Sequence, residues 1–387
     1  RDLHSFPTRR SSDLLVGYSK GASFVAGVIP TKTDHAWNSV KIDYSYYLVD
    51  STWGSGGCDG DKYNKIFDEF YFCTDPEAFI RSHLPGENKW QLVTPTISLQ
   101  TFVYALKLGS AFYENGLTSI SPDIWSFNST STFKVSFTYK DNSNLAFLYQ
   151  LYFLQGNTYM SQNDACLDKK GINKNEVTCL TNNKGKYKFR IFGGPANSET
   201  YPQIVEYSVE SSKDAASPLY FPHAYGYYSS SDTQLIEPLY SPLKKGNLYN
   251  FNMTTTTYNN LYVMLDNNHR QELKNDGKGV FTGESIHIHG ESVNLATLDN
   301  GYFHYILQYR TETDPNIKEE PTFPTSYSAP DNVLYSPLTD TLKRSASYNF
   351  KIKCESVNDM IIVDGNNFIH LDKNGDVFSK TVSINGK

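Results

Sequence analysis

A repeated pattern in the second half of the chain constrains the fold more than any other feature. Leu239-Tyr240-Ser241-Pro242-Leu243 recurs as Leu334-Tyr335-Ser336-Pro337-Leu338, and Tyr249-Asn250-Phe251 recurs as Tyr348-Asn349-Phe350. LKNDGKGVF, ending at Phe281, returns as LDKNGDVF, ending at Phe378, and Ser285–Gly290 parallels Val382–Gly386. Such a repeat is one supersecondary unit copied along the chain. Its strands alternate apolar and polar residues between Asn, Gly and Ser turns, the pattern of an antiparallel sandwich. The same alternation appears earlier in FKVSFTY (Phe133–Tyr139), in KYKFRIF (Lys186–Phe192) and in Val205–Val209. Leu145–Leu154 reads as a strand pair or one long strand. GKYKFRIF matches GYFHYILQYR (Gly301–Arg310), each closing its unit. Three copies follow, over 97–212, 217–312 and 333–387, the third stopping before its closing strand.

The 387 residues suit two to four domains. Tyr and Phe are abundant (29 and 23) and Met is scarce (4), which suits strands. A net charge of −6 leaves no nucleic-acid footprint. No apolar run reaches the roughly 18 residues of a membrane span. Five cysteines at irregular spacing make neither a zinc pattern nor a disulfide framework, so free thiols and a reducing compartment are expected, Cys166 and Cys179 included. Extracellular exposure would instead predict a Cys166–Cys179 bond and occupied sequons at Asn128 and Asn252. Pro315, Pro321, Pro324 and Pro330 mark 313–332 as a semi-extended linker, and Thr94-Pro95-Thr96 as a shorter one.

Ahead of the sandwiches stands DHAWNSVKIDYSYYLVDSTWG, Asp34–Gly54. His35–Ile42 and Tyr46–Thr52 read as two antiparallel strands around Asp43-Tyr44-Ser45. With the turn on Asp43-Tyr44, His35 faces Thr52 and lies diagonal to Asp50, about 7–8 Å between backbones, within reach of a His–carboxylate hydrogen bond. His35, Trp37, Leu48 and Asp50 then share one face. Val40, Ile42, Tyr47 and Val49 fill the other, which reads as the core. A slip of one residue would separate His35 from Asp50. Phe67–Phe72 reads as a strand and Pro76–Arg81 as a short helix capped by Asp75.

HAWNSVKI followed by YYLVDSTWGSG resembles the His and Asp motifs of the transglutaminase-like superfamily, and of its kyphoscoliosis peptidase and hillarin-like branch in particular. VGYSKG (Val16–Gly21) is similar to the strand preceding the His in that branch, and Asp68–Val93 to its continuation. The resemblance runs from about Leu15 to Leu92. It implies a papain-like α+β domain over 15–93 with a Cys-His-Asp triad: His35 as base, Asp50 as its orienting carboxylate. It also implies immunoglobulin-like modules after that domain, protein substrates or cytoskeletal partners, and a cytoplasmic, cytoskeleton-associated setting. A thiolate would attack a carbonyl, and water or a lysine amine would resolve the acyl-enzyme, giving a peptidase or a transglutaminase. No cofactor or metal is implied.

In that family the nucleophile precedes the V-x-G-Y strand, at the start of a helix. Here no cysteine precedes Leu15. RDLHSFPTRRSSDL, 1–14, has no hydrophobic period and reads as a non-native or disordered leader, and the chain as incomplete at both ends. Cys58 in SGGCDG and Cys73 in FYFCTD read as a loop thiol and a core thiol. His287 and His289 share a strand face but lack further ligands and read as exposed. Asn275–Gly277 and Asp372–Asp376 lack a calcium-loop pattern and read as hairpin turns. Trp37 and Trp53 flank the His–Asp pair, as a water shield or as core. The fold class expected is thus multidomain and mainly β: a truncated α+β transglutaminase-like domain followed by immunoglobulin-like sandwiches. Two functions stay open: an acyl-transfer protein without its nucleophile, inactive as written, and a non-catalytic cytoskeletal scaffold.

Overall fold

The computed structural model describes residues 12–59, 62–140, 145–196, 198–265, 270–316, 333–337 and 342–385. The chain divides into two compact units, Arg1–Gln162 with Ile172–Asp214, and Asn163–Gly171 with Ala215–Lys387. Most described residues lie in strands, so the protein is multidomain and mainly β.

The first unit opens with strands β1 (Ser12–Ser19), β2 (His35–Ile42) and β3 (Ser45–Val49), a hairpin β4–β5 (Gly56–Asp59 and Lys62–Lys65), then β6 (Phe72–Thr74) and β7 (His83–Pro85). Five of these form an antiparallel sheet in the order β6-β3-β2-β1-β7. The β2–β3 register pairs Ile42 with Ser45, Val40 with Tyr47 and Asn38 with Val49, and the turn sits on Asp43 (φ 54°) and Tyr44, where the hairpin reading puts it. β1 begins at Ser12, so three residues assigned to the leader extend the sheet, Leu14 opposite Asn38. Residues 1–11 of that leader lie outside the described residues.

The buried face is not the one the apolar pattern suggested. Ile42 and Tyr47 are exposed and Val40 and Val49 only half-buried. Trp37, Ser39, Leu48 and Asp50 are the buried set, and Leu15, Tyr71 and Phe79 complete their cluster. A single Trp with Leu on the His face outweighs four medium apolar residues on the other, because aromatic area dominates burial. Of Phe67–Phe72, only Phe72 lies in a strand, as the first residue of β6. Asp68 accepts a hydrogen bond from the Phe70 amide and starts a 3-10 turn, Glu69–Tyr71. Asp75 does cap helix α1 (Pro76–Phe79), accepting from the Glu77 amide at 2.8 Å.

Residues 97–105, at the start of the range read as the first sandwich, pack back on the preceding domain. Ser98 caps helix α2 (Leu99–Tyr104) through the Thr101 amide. Phe102 and Val103 of that helix pack on Ile80 and Leu84. The fully buried Lys20 donates from Nζ to the Ala105 carbonyl at 2.8 Å and lies 4.6 Å from the Phe102 ring centre. Burial, with Arg81 and Lys107 nearby, pulls its pKa down to about 7.

The rest of the unit is a sandwich. One layer holds Leu117–Ser121, Thr132–Tyr139 and Lys174–Leu180. The other orders Thr158–Ser161, Leu145–Gln155, Gly185–Pro195, Gln203–Ser211 and Ser126–Ser129. Leu145–Gln155 is one long strand. Alternate residues fill the core: Phe133, Val135 and Phe137 from one layer, Phe189, Ile191, Tyr207 and Val209 from the other.

The second unit carries the repeat as geometry. Tyr249 Oη accepts from the Lys244 amide, and its counterpart Tyr348 Oη from the Lys343 amide. Asn275–Gly277 and Asp372–Asp376 are hairpin turns: Lys274–Asn275 pairs with Val280–His287, and Asp372–Asn374 with Val377–Ser383. Most of the Pro-rich linker, from 317 to 332, lies outside the described residues. Cys166 and Cys179 are each disulfide-bonded, against the expectation of free thiols.

Gly17 sets how closely β1 sits between its neighbours. It pairs with His35 on one side and Pro85 on the other. A methyl there would collide with the Leu84 carbonyl oxygen, the Trp37 ring and Pro85 Cα. All four tryptophans lie between 37 and 125, so their fluorescence reports this unit. Gly17→Ala should lower its stability by about 2–3 kcal/mol in urea melts followed by that fluorescence, the usual cost of overpacking. A loss below about 0.5 kcal/mol would show that β1 can shift aside.

Candidate functional site

The hairpin register brings the His and the Asp together. His35 opens β2 and Asp50 follows β3 on the same face. Their side chains meet at 2.6 Å, His35 Nε2 to Asp50 Oδ2. A third residue joins them. His83, in the edge strand β7, places Nε2 3.0 Å from the same oxygen. The other carboxylate oxygen, Oδ1, accepts from the backbone amides of Thr52 (2.9 Å) and Trp53 (3.1 Å). Both oxygens of Asp50 are therefore hydrogen-bonded, which is what a carboxylate only 1% exposed requires.

An ionised carboxylate only accepts, so both imidazoles present Nε2–H to it. His83 Nδ1 then accepts from the Ser82 hydroxyl at 2.8 Å. His35 Nδ1 has no hydrogen bond among the described residues and is left bare, the position a base needs. His35 keeps 14% of its side chain exposed, while His83 is fully buried. Burial alone would raise the Asp50 pKa; the bonds from His83, His35 and Trp53 outweigh it and hold the carboxyl below its usual range. Burial lowers the His83 pKa, and the Asp50 bond offsets this only in part.

Aromatic walls complete the site. The Phe79 ring stacks on His83 at 4.2 Å, and Trp53 meets it edge-on at 4.4 Å. Trp37 and Trp53 lie 5.9 and 5.7 Å from His35. Trp37 is core, buried with Leu48 and Phe79, while Trp53 is only partly buried against the same cluster.

His83 is the residue the sequence reading missed. It lies within the Asp68–Val93 continuation, and nothing in RSHLPG separates a site His from a lone core His. Its only local signal is the helix stop before it, which turns the chain back to the sheet. The other candidates stay apart. Cys73 is a half-buried free thiol in β6 with φ 57° and no hydrogen bond to His35 among the described residues. The Cys58 side chain lies outside the described residues. His287 is buried, contrary to expectation: Ser285 turns to φ 54° and breaks the strand alternation, so Ile286 and His287 both point inward. The atoms His35 Nε2, Asp50 Oδ2 and His83 Nε2, all within 4.8 Å of one another, are also a possible metal-ligand set.

The pH dependence follows from His83. Its folded pKa lies below the ordinary 6.5. Below 6.5 the unfolded chain takes up a proton that the folded chain refuses, so stability is full above that pH and falls as pH drops. Asp50 adds a loss only in stronger acid, below its ordinary 3.8. Hydrogen exchange at the Leu48 and Asp50 amides should quicken between pH 7 and 5 beyond the intrinsic trend, by at most one proton's worth, about 1.4 kcal/mol per pH unit. His83→Gln should flatten this slope, and an unchanged slope would place the titrating group elsewhere. Asp50→Asn should cost about 2–4 kcal/mol at pH 7 in the same measurement.

Residues 99–222 match the family described as KY-like, immunoglobulin-like domain. Mouse kyphoscoliosis peptidase is 36% identical over 197 residues, 50% of this chain and 28% of that protein. Drosophila melanogaster hillarin is 29% identical over 118 residues, 27% of this chain and 14% of its own. The Caenorhabditis elegans Lim and transglutaminase domain protein ltd-1 is 30% identical over 122 residues, 28% and 17% of the two chains. The match thus spans about a quarter of the kyphoscoliosis peptidase length. A hairpin holding a His–Asp pair and a KY-like immunoglobulin-like domain therefore stand in a chain that is, over half its length, a homologue of the kyphoscoliosis peptidases.

Proposed function

We propose that His35 and Asp50 are the base and orienting carboxylate of a cysteine-dependent acyl-transfer centre of the transglutaminase-like type. The observation that carries this is the 2.6 Å bond from His35 Nε2 to a buried carboxylate, which leaves Nδ1 without a hydrogen bond among the described residues. In such a centre the thiol proton passes to Nδ1 and the thiolate adds to the carbonyl carbon. The amine leaves with the proton from the imidazolium, and a thioester remains. Water then gives a peptidase, a lysine amine a transglutaminase. Asp50 stays ionised and steadies the imidazolium.

The nucleophile is the part not supplied. No cysteine precedes His35 in this sequence, and Cys73 makes no hydrogen bond to it among the described residues. The chain by itself should neither cleave casein nor incorporate a fluorescent amine. The second reading is a scaffold that binds protein partners, cytoskeletal ones on the family resemblance. The KY-like module and the sandwiches after it favour this. No helix among the described residues is long and apolar enough to cross a membrane. The cytoplasmic setting implied by the resemblance is opposed by the disulfide-bonded Cys166 and Cys179.

Two measurements test the proposal. Long-range nitrogen–proton NMR at pH 7 should show His35 protonated at Nε2 and bare at Nδ1; the reverse tautomer would remove it as the base. A chimera with the segment that precedes the matching motif in mouse kyphoscoliosis peptidase, joined ahead of Val16, should gain thiol-dependent activity. His35→Ala should lower that activity by roughly 10³-fold or more. An inert but folded chimera would decide for the scaffold.

A further inference from the structure

The same three side chains suit a second occupant. His35 Nε2, Asp50 Oδ2 and His83 Nε2 converge within 4.8 Å of one another, from β2, the end of β3 and β7. Two imidazoles and one carboxylate form a donor set for zinc-class ions; calcium and magnesium would want more oxygens. We infer that this triad is a divalent-metal site for an ion of the zinc class, and that the ion and the base role of His35 exclude each other.

The geometry is close to what an ion needs. Ligand atoms about 2.0–2.1 Å from a tetrahedral ion stand roughly 3.3 Å apart. The two His–Asp contacts are 2.6 and 3.0 Å, so each pair must part by well under 1 Å. The carboxylate is already oriented: Oδ1 is held by the Thr52 and Trp53 amides, leaving Oδ2 as a single ligand. His83 has the supporting partner that a ligating imidazole normally keeps. In the metal-bound form its Nδ1–H donates to Ser82 Oγ, whose hydroxyl can turn to the Phe79 carbonyl, 3.4 Å away. The partly exposed His35 side is the way in for the ion and for a water as fourth ligand.

The proton balance gives the consequence. Each neutral imidazole loses its Nε2 proton as the ion takes that nitrogen and gains one at Nδ1, with no net release. His35 Nδ1 is then occupied and cannot receive a thiol proton. This consequence rests on the reading of His35 as base; the metal site itself rests on the geometry alone.

The test is a cobalt(II) titration of the full chain at pH 7, with the visible absorption of tetrahedral cobalt as readout and zinc(II) as competitor. An intense tetrahedral band that zinc abolishes is expected. His35→Ala and Asp50→Asn should each weaken cobalt binding by about 100-fold. Ser82→Ala, which leaves every ligand in place, should weaken it by about 10-fold. His370→Ala, which removes an exposed His–Asp pair elsewhere, should leave the band unchanged. No band with the folded wild-type chain, or a band that His35→Ala leaves intact, overturns the site. If the band appears but the Val16 chimera is inert, the base reading fails while the metal site stands.

Discussion

One buried carboxylate organises the first domain. Asp50 lies where β3 ends, almost without solvent, and an unpaired charge there would cost several kcal/mol. Four donors meet it: two backbone amides just beyond it and two imidazoles from other strands. Each requires a particular piece of the fold. The amides of Thr52 and Trp53 need the turn that follows β3. His35 needs the β2–β3 register. His83 needs β7 on the far side of β1. The carboxylate is thus both the candidate chemistry and the test of whether the sheet is assembled. If one strand slips, the charge is left short of a donor.

The aromatic packing serves the same end. Gly17 has no side chain, so the Trp37 ring can lie against β1 where a Cβ would stand. Phe79 closes His83 from one side and Trp53 from another. With apolar rings around it, His83 is a poor place for a second positive charge, and burial holds it neutral. A neutral imidazole can still donate to Asp50. It takes part of the carboxylate's capacity without adding a charge that would oppose an imidazolium at His35.

Sequence legibility varied with the range of the interaction. The hairpin and the Asp75 cap rest on neighbours a few residues apart, and both could be read directly. The strand alternation of the sandwiches was legible because period two is local. The buried face of the first sheet was not, since four medium apolar residues on one side compete with a Trp and a Leu on the other, and only packing partners such as Tyr71 and Phe79 decide between them. His83 failed for the same reason: it meets Asp50 across 33 positions of chain, and no local pattern encodes that. His287 failed because a single left-handed residue, Ser285, broke the alternation from which its exposure had been read.

The repeat shows how far identity of sequence carries identity of contact. Lys244 to Tyr249 and Lys343 to Tyr348 make the same amide-to-phenol bond at the same spacing of five residues. A phenol that accepts from the backbone at a loop fixes where the next strand starts, and so fixes its register. The bond closes a short loop, so it can form before distant strands meet and costs little chain entropy. That frames the start of the Tyr-Asn-Phe strand in both copies, although four more residues separate it from Leu-Tyr-Ser-Pro-Leu in the second.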